Sequence, residues 1–246
     1  MAAVHYRDAK GPQDTVVYAI GDVHGRLDLL TDMHRRIDDE IARRGGDWRI
    51  VHLGDYVDRG PESAGVVEFL RRRAAADGRV VALAGNHDLA FLEFFSDPDP
   101  GGLFALYGGV QTAQSYGVAL DLFDPFAFRA AHRALDAAVP RSHRDYLGGL
   151  PLSVAYGDFF FCHAGIRPGV PLERQERRDL IWIRGEFHRH PGLYEKVVVH
   201  GHTPVPEPEV RDNRVNLDTG AFASGRLSAL VIDGAQKRLL VVEEAA

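Results

Sequence analysis

Residues 49–62 read RIVHLGDYVDRGPE. The apolar Ile50, Val51 and Leu53 stop at Gly54, and Asp55, Asp58 and Arg59 follow before a second glycine, Gly60. Asp and Gly close strands wherever a chain reverses, so Gly54 and Asp55 alone would mark no more than a turn. The same grammar recurs in YAIGDVHG (18–25) and VALAGNHD (81–88), where apolar residues lead through glycine into side chains that bind metals or move protons. Two later apolar runs end in histidine, FFFCHAG (159–165) and VVVHGHT (197–203). Turns ask for Asn, Asp, Gly and Ser but not for His. Five strand ends of this kind therefore need a shared functional cause.

Working outward, TVVYAIG (15–21), RIVHLG (49–54) and RVVALAG (79–85) read as buried strands. Between them, residues 27–44 place Leu27, Leu30, Ile37 and Ile41 near helical spacing. A second helix is expected from Pro61 to Ala76, with Val66, Val67 and Leu70 inward and Gly78 beyond its end. Strands alternating with helices imply parallel pairing through right-handed crossovers, which puts every strand's C-terminal end on one sheet edge. Ligands bind along that edge in open α/β sheets. Residues 89 to about 150 are broken by Pro98, Pro100, Gly101, Gly102, Gly108 and Gly109 around helix-like stretches, and read as a helical cap. After Pro151 strand patterns dominate, as expected of a second sheet. The expected class is α/β, with residues 1–246 as a single domain.

The chain of 246 residues is 45% hydrophobic and carries a net charge of −6, which disfavours nucleic acid and anionic lipid as partners. No apolar run is long enough to span a bilayer, and MAAVHYRDAK lacks the apolar middle of a secretory signal. The single cysteine, Cys162, cannot form an internal disulfide. A cytoplasmic location with no membrane partner is the expectation.

Asp22 and His24 lie two apart at a strand end, a spacing that aims both at one point. Asn86 and His87 are neighbours, so on extended backbone one would hold a metal while the other faced substrate. His163 and His202 complete a pool of carboxylate, imidazole and amide donors suited to manganese, iron or zinc. With Asp55 bridging two such divalent ions, a shared water would be acidified towards a pKa of about 7 and would serve as nucleophile. Arg59 offers a planar two-pronged donor for a phosphoryl group. His87, oriented by Asp58, would hand a proton to the leaving group.

Together GDVHG, GDYVDRG, GNHD, HAG and GHT resemble the phosphoprotein phosphatase family of metallophosphoesterases, in particular its bacterial and phage branch. The resemblance implies a calcineurin-like β-sandwich flanked by helices. It implies Asp22, His24 and Asp55 at one ion and Asp55, Asn86, His163 and His202 at the other, with manganese the expected metal. It further implies a His87–Asp58 pair and a phosphate held by Asn86, His87, Arg59 and a later arginine, here Arg184 in LIWIRGEF, with Arg167 as competitor. A phosphorylated protein or peptide is the expected substrate, hydrolysed at serine or threonine. His24 stands where symmetrical dinucleoside tetraphosphatases commonly carry glutamine, which favours a phosphomonoesterase; symmetrical hydrolysis of diadenosine tetraphosphate, a nucleotide polyphosphate, is the alternative.

Two other readings compete. A cysteine phosphatase would need five residues between Cys162 and Arg167, and only four intervene. A binding module that had lost catalysis would be expected to lack at least one of these residues, and all are present. His5, His34, His132, His143, His188 and His190 are expected in solvent, and His200 as a satisfied strand histidine.

Overall fold

The computed structural model describes residues 3–244. In chain order β1 (Thr15–Ile20), α1 (Leu27–Arg44), β2 (Asp47–His52), α2 (Ser63–Ala76) and β3 (Val80–Ala82) make the two expected crossovers. β1 pairs parallel with β2, and β2 with β3. There follow α3 (Asn86–Ser96), α4 (Leu103–Leu106), α5 (Gly109–Ser115), α6 (Pro125–Ala138) and α7 (Arg141–Gly148). β4 (Ser153–Tyr156) and β5 (Phe159–Cys162) form a hairpin, and α8 (Arg177–Trp182), α9 (Gly185–His188), β6 (Val197–His200), β7 (Glu209–Val210) and β8 (Arg214–Asn216) come next. The described chain closes with α10 (Ala221–Ser224), β9 (Arg226–Asp233) and β10 (Gln236–Glu243).

Two five-stranded sheets result, ordered β10-β9-β1-β2-β3 and β4-β5-β6-β8-β7. Strand side chains alternate between faces, and here the alternation sorts three cores. Val17, Ala19, Val51 and Leu53 of the first sheet meet Phe159, Phe161, Val197, Val199 and Val215 of the second. Their neighbours Val16, Tyr18, Ile20 and Ile50 turn the other way, under Leu30, Met33 and Ile37 of α1 and Val66, Val67 and Leu70 of α2. Phe160, Cys162 and Val198 face outward beneath Leu180, Ile181 and Phe187. Cutting one such Phe to Ala costs about 3–5 kcal/mol, a large share of the roughly 5–15 kcal/mol by which folded domains are stable. The sandwich is thereby locked face to face.

Three sequence expectations are corrected. β9 and β10 do not join the second sheet: β9 lies antiparallel to β1 and extends the first. A period-two pattern says which face a strand buries but not which strand it lies beside. α2 begins at Ser63, two residues later than the proline suggested. His34 and His143 are buried rather than solvated. His34 shares the inward face of α1 with Leu30 and Ile37, and its Nε2 lies 3.1 Å from that of His52. His143 stands between Glu68 at 3.1 Å and Tyr116 at 2.9 Å. His200 is a core strand histidine, its ring edge-on to Phe187 at 4.9 Å, but it is only half satisfied: Nδ1 meets the Gly201 carbonyl at 3.0 Å, and Nε2 has no partner among the described residues.

The cap hangs from α3. Phe91 and Phe94 of that helix stack on Phe104 of α4 with centroids 5.0 and 4.7 Å apart, and Phe94 meets Phe128 of α6 at 5.8 Å.

Candidate metal centre

Asp55 sits at the middle of the site. Its Oδ2 lies 3.5 Å from His24 Nε2 and 3.4 Å from His163 Nε2, and its Oδ1 accepts the backbone N–H of His87 at 3.0 Å. Two groups of donor atoms share it, one from His24, Asp55 and His87 and one from Asp55, His163 and His202, each with all atoms within 4.8 Å of one another. All of these side chains are buried.

The tight turns that bring them together leave the backbone in the left-handed region, where φ is positive. Non-glycine residues avoid it, at a cost of about 1–2 kcal/mol each. Six do so among the described residues, and five belong to the site: His24, Asp55, Asp58, Arg59 and His202. Strain concentrated in this way is characteristic of functional sites. Gly85 answers a different need, since a Cβ there would stand 2.2 Å from the Asp55 amide nitrogen. Without it the ends of β2 and β3 could not close on one another.

Asn86 and His87 do not lie on extended backbone as expected; they open α3. Gly85 precedes the helix and Asp88, in its first turn, turns back to accept three N–H groups, those of Gly85 and Asp55 at 2.9 Å and of Tyr56 at 2.8 Å. Successive helical side chains diverge by about 100°, so Asn86 goes to the histidines and His87 to Asp58. Asn86 Oδ1 lies 2.9 Å from His163 Nε2 and 2.8 Å from His202 Nδ1. Those spacings suit neighbouring ligands on one divalent ion with bonds of about 2.1 Å.

Charge and orphaned atoms also fit cations. Asp22 Oδ2 accepts the His202 N–H at 2.9 Å, but its buried Oδ1 has no partner among the described residues. A buried acceptor left bare costs free energy, and a cation would satisfy it. Burial pushes Asp22 well above the usual carboxylate range, with Asp218 adding to the rise. Burial would likewise lower His163, yet Asp55 and Asp22 overcome it and raise the imidazole to about 10. Burial would raise Asp55, but His163, His87 and His24 hold it well below the ordinary value. Burial lowers His24 to about 3, so the ring is neutral; Nδ1–H donates to the Val57 carbonyl at 2.8 Å and Nε2 is left as a lone pair facing Asp55. His163 Nδ1–H likewise donates to the Leu53 carbonyl at 2.9 Å, but its raised imidazole also carries a proton on Nε2, facing Asn86 Oδ1 at 2.9 Å and Asp55 Oδ2 at 3.4 Å, and a metal ion would take that proton's place.

Around this centre stand the remaining expected residues. His87 Nδ1 lies 2.7 Å from Asp58 Oδ2, and its Nε2 is 3.2 Å from Arg59 Nη2. Burial would depress His87, but Asp55 and Asp58 raise it. Nδ1 is taken by Asp58 and Nε2 accepts from Arg59, so neither is open to an ion, and Nε2 can carry a proton once Arg59 turns to another acceptor. Arg184 donates from Nε to His202 Nε2 at 2.9 Å and is otherwise open to solvent. Arg167 is clamped by Asp179 at 2.7 and 2.8 Å and by Glu186 at 2.7 Å, so of the two arginines only Arg184 reaches the centre. Cys162 is buried, with its thiol pushed up by burial, unlike a nucleophilic thiolate.

Three residues were missed from the sequence. Asp218 is buried and pushed up to about 6, chiefly by burial and also by Asp55. It lies two residues beyond β8 with the same apolar-to-acid grammar in VNLDTG, so a signal was present. Asp88 had one too, as an acid in the first turn of a helix. Thr112 had none. Its hydroxyl donates to Asp58 Oδ1 at 2.8 Å and accepts the Asp58 N–H at 2.8 Å, tying the cap to the His87–Asp58 pair. Thr112→Val should lower kcat about tenfold while bound metal is unchanged, and Thr112→Ser should restore most of it; equal rates in wild type and Thr112→Val would deny the cap this role.

A model of the calcineurin-like phosphoesterase family matches residues 15–226. Among curated relatives, the asymmetrical bis(5'-nucleosyl)-tetraphosphatase PrpE of Bacillus mycoides is 28% identical over 229 residues, covering 86% of this chain and 88% of the relative. Two solved structures share the fold: a Saccharomyces cerevisiae serine/threonine phosphatase at TM-score 0.54, 14% identical over 98% of this chain and 86% of its own, and a cold-active protein-tyrosine phosphatase of a Shewanella species at TM-score 0.55, 17% identical over 96% and 84%.

Proposed function

Because this chain belongs to the calcineurin-like phosphoesterase family, whose members hydrolyse phosphoesters at paired divalent ions, we propose that it cleaves dinucleoside polyphosphates asymmetrically. The observation that carries this reading is Asp55 set between two histidine groups with Arg59 on one flank and Arg184 on the other. The tetraphosphatase relatives, similar over most of both chains, support nucleotide rather than phosphoprotein as substrate.

In this reading Asp22, His24 and Asp55 would hold one ion, and Asp55, Asn86, His163 and His202 the other. Oxygen and imidazole donors without thiolate suit manganese, with iron or zinc also compatible. Such a pair supplies an acidified water and a cationic seat for phosphate oxygens. Arg59 and Arg184 donate to the remaining phosphoryl oxygens as charge builds there. Arg59 Nη2 donates to His87 Nε2, so a phosphate that takes up Arg59 leaves Nε2 able to carry a proton. Asp58 keeps the opposite nitrogen engaged. Oxygen from water joins phosphorus, one phosphoanhydride bond breaks, and the leaving phosphate oxygen takes its proton from His87. A dinucleoside tetraphosphate then yields one nucleoside triphosphate and one monophosphate.

A second reading, serine/threonine phosphoprotein hydrolysis, is favoured by His24 in GDVHG. Incubating the manganese-loaded protein with diadenosine tetraphosphate should release ATP and AMP in equal amounts. Two ADP would mean symmetrical cleavage. Faster phosphate release from a phosphoserine peptide than turnover of the nucleotide would put the second reading first.

A further inference from the structure

Beside Arg59 the surface opens into a groove of about 820 Å³ walled by Leu106, Tyr107, Val110, Leu122 and Phe222. Among the described residues, Arg59 is the one charged residue lining it. Leu106 and Tyr107 are 60% and 56% exposed, a large apolar surface next to a reactive centre. Apolar surface held open in that way marks a place where something binds.

The groove is built in register with the site. Gly108, at φ 123°, presses on Arg59 so closely that a Cβ would stand 2.1 Å from the arginine amide nitrogen. Tyr107, its chain neighbour, lines the same groove as Arg59. On the other wall the Phe222 ring lies 4.7 Å from Arg59 Cζ and meets the His24 ring edge-on at 5.5 Å. One end of the groove is thus a cationic donor shared with the metal centre, and the body is aromatic and aliphatic.

We propose that this groove seats the nucleoside of the nucleotide whose phosphate reacts, an inference that rests on the nucleotide reading above. Three features select a nucleoside over other occupants. Arg59 takes a phosphate at the inner end. The flat rings of Tyr107 and Phe222 suit a heteroaromatic base, because stacking needs a π-face and no particular hydrogen-bond pattern. Gln111 at the rim brings an amide to the base edge. The cap therefore contributes affinity for the base, while the sheet edges contribute the chemistry.

The test compares AMP with inorganic phosphate as competitive inhibitors of p-nitrophenyl phosphate hydrolysis by the manganese-loaded protein. AMP should bind at least about tenfold more tightly than phosphate, and Tyr107→Ala should remove most of that advantage, as expected for one lost stacking partner. Phe126→Ala, 84% exposed on the cap and outside the groove, should keep both the advantage and the turnover of the wild type. AMP no tighter than phosphate in the wild type would overturn the proposal. So would an advantage that survives in Tyr107→Ala and in the Tyr107→Ala/Phe222→Leu double variant. A phosphoserine peptide with a neighbouring Phe that gains and loses affinity in AMP's place would assign the groove to peptides instead. Failure to cleave diadenosine tetraphosphate while the AMP advantage persists would remove only the functional reading.

Discussion

Asp55→Asn lowers hydrolysis of p-nitrophenyl phosphate and diadenosine tetraphosphate alike by more than about 10²-fold, and the purified variant carries less than a full pair of metal ions. The substitution keeps the shape of the side chain and removes its charge. Oδ2 stands 3.5 and 3.4 Å from ring nitrogens of His24 and His163, so it is the one carboxylate that both donor groups share. Losing one member of a buried ionic cluster costs about 3–5 kcal/mol, which corresponds to roughly two to four decades in affinity. An amide also turns a donor toward one of the imidazoles, where the native oxygen accepts. Elemental analysis alongside rate measurements checks the result. Two ions per chain and activity within tenfold of wild type would show that Asp55 does not join the two halves of the centre.

His87→Asn separates proton transfer from metal binding. Both His87 nitrogens are engaged, one by Asp58 at 2.7 Å and the other by Arg59 at 3.2 Å, which leaves no lone pair for an ion. Metal content should therefore stay at the wild-type level while kcat for diadenosine tetraphosphate falls by about 10²–10⁴-fold, the usual worth of a positioned acid. The loss should be smaller for p-nitrophenyl phosphate, whose leaving group is stable as an anion and needs little help from an acid. Equal losses on the two substrates would point to a binding role for His87, and an unchanged rate would remove it from the reaction.

How much of this could be read in advance depends on where the information lies. Asp22, His24, Asp55, His163 and His202 were legible because each ends or closely follows an apolar strand, and parallel strands bring their C-terminal ends to one edge. The pairing of Asp58 with His87 was legible from the chemistry a phosphate leaving group requires. Asn86 and His87 were legible as neighbours with different tasks, although the divergence comes from the first turn of α3 and not from an extended strand. Thr112 was out of reach. Its link to Asp58 spans 54 residues, and a threonine in a polar helix carries no mark of such a partner. The placement of β9 against β1 was hidden for a related reason, since strand pairing is a property of the whole sheet. His34 could have been seen as an inward residue from its spacing to Leu30 and Ile37, but polarity argued the other way, and its one side-chain partner among the described residues, His52 at 3.1 Å, lies on another element.

The hydrogen bond from the His202 backbone to Asp22 joins residues 180 positions apart. A ribosome adding about 5–20 residues per second needs roughly ten to forty seconds to cover that interval. A nascent chain that has passed residue 88 already carries Asp22, His24, Asp55, Asn86 and His87, yet β1 still lacks β9 and the two late histidines have not been made. Hydrolytic power therefore switches on after translation has passed residue 202, and its appearance in a cell-free synthesis would time the moment at which the late histidines meet Asp22.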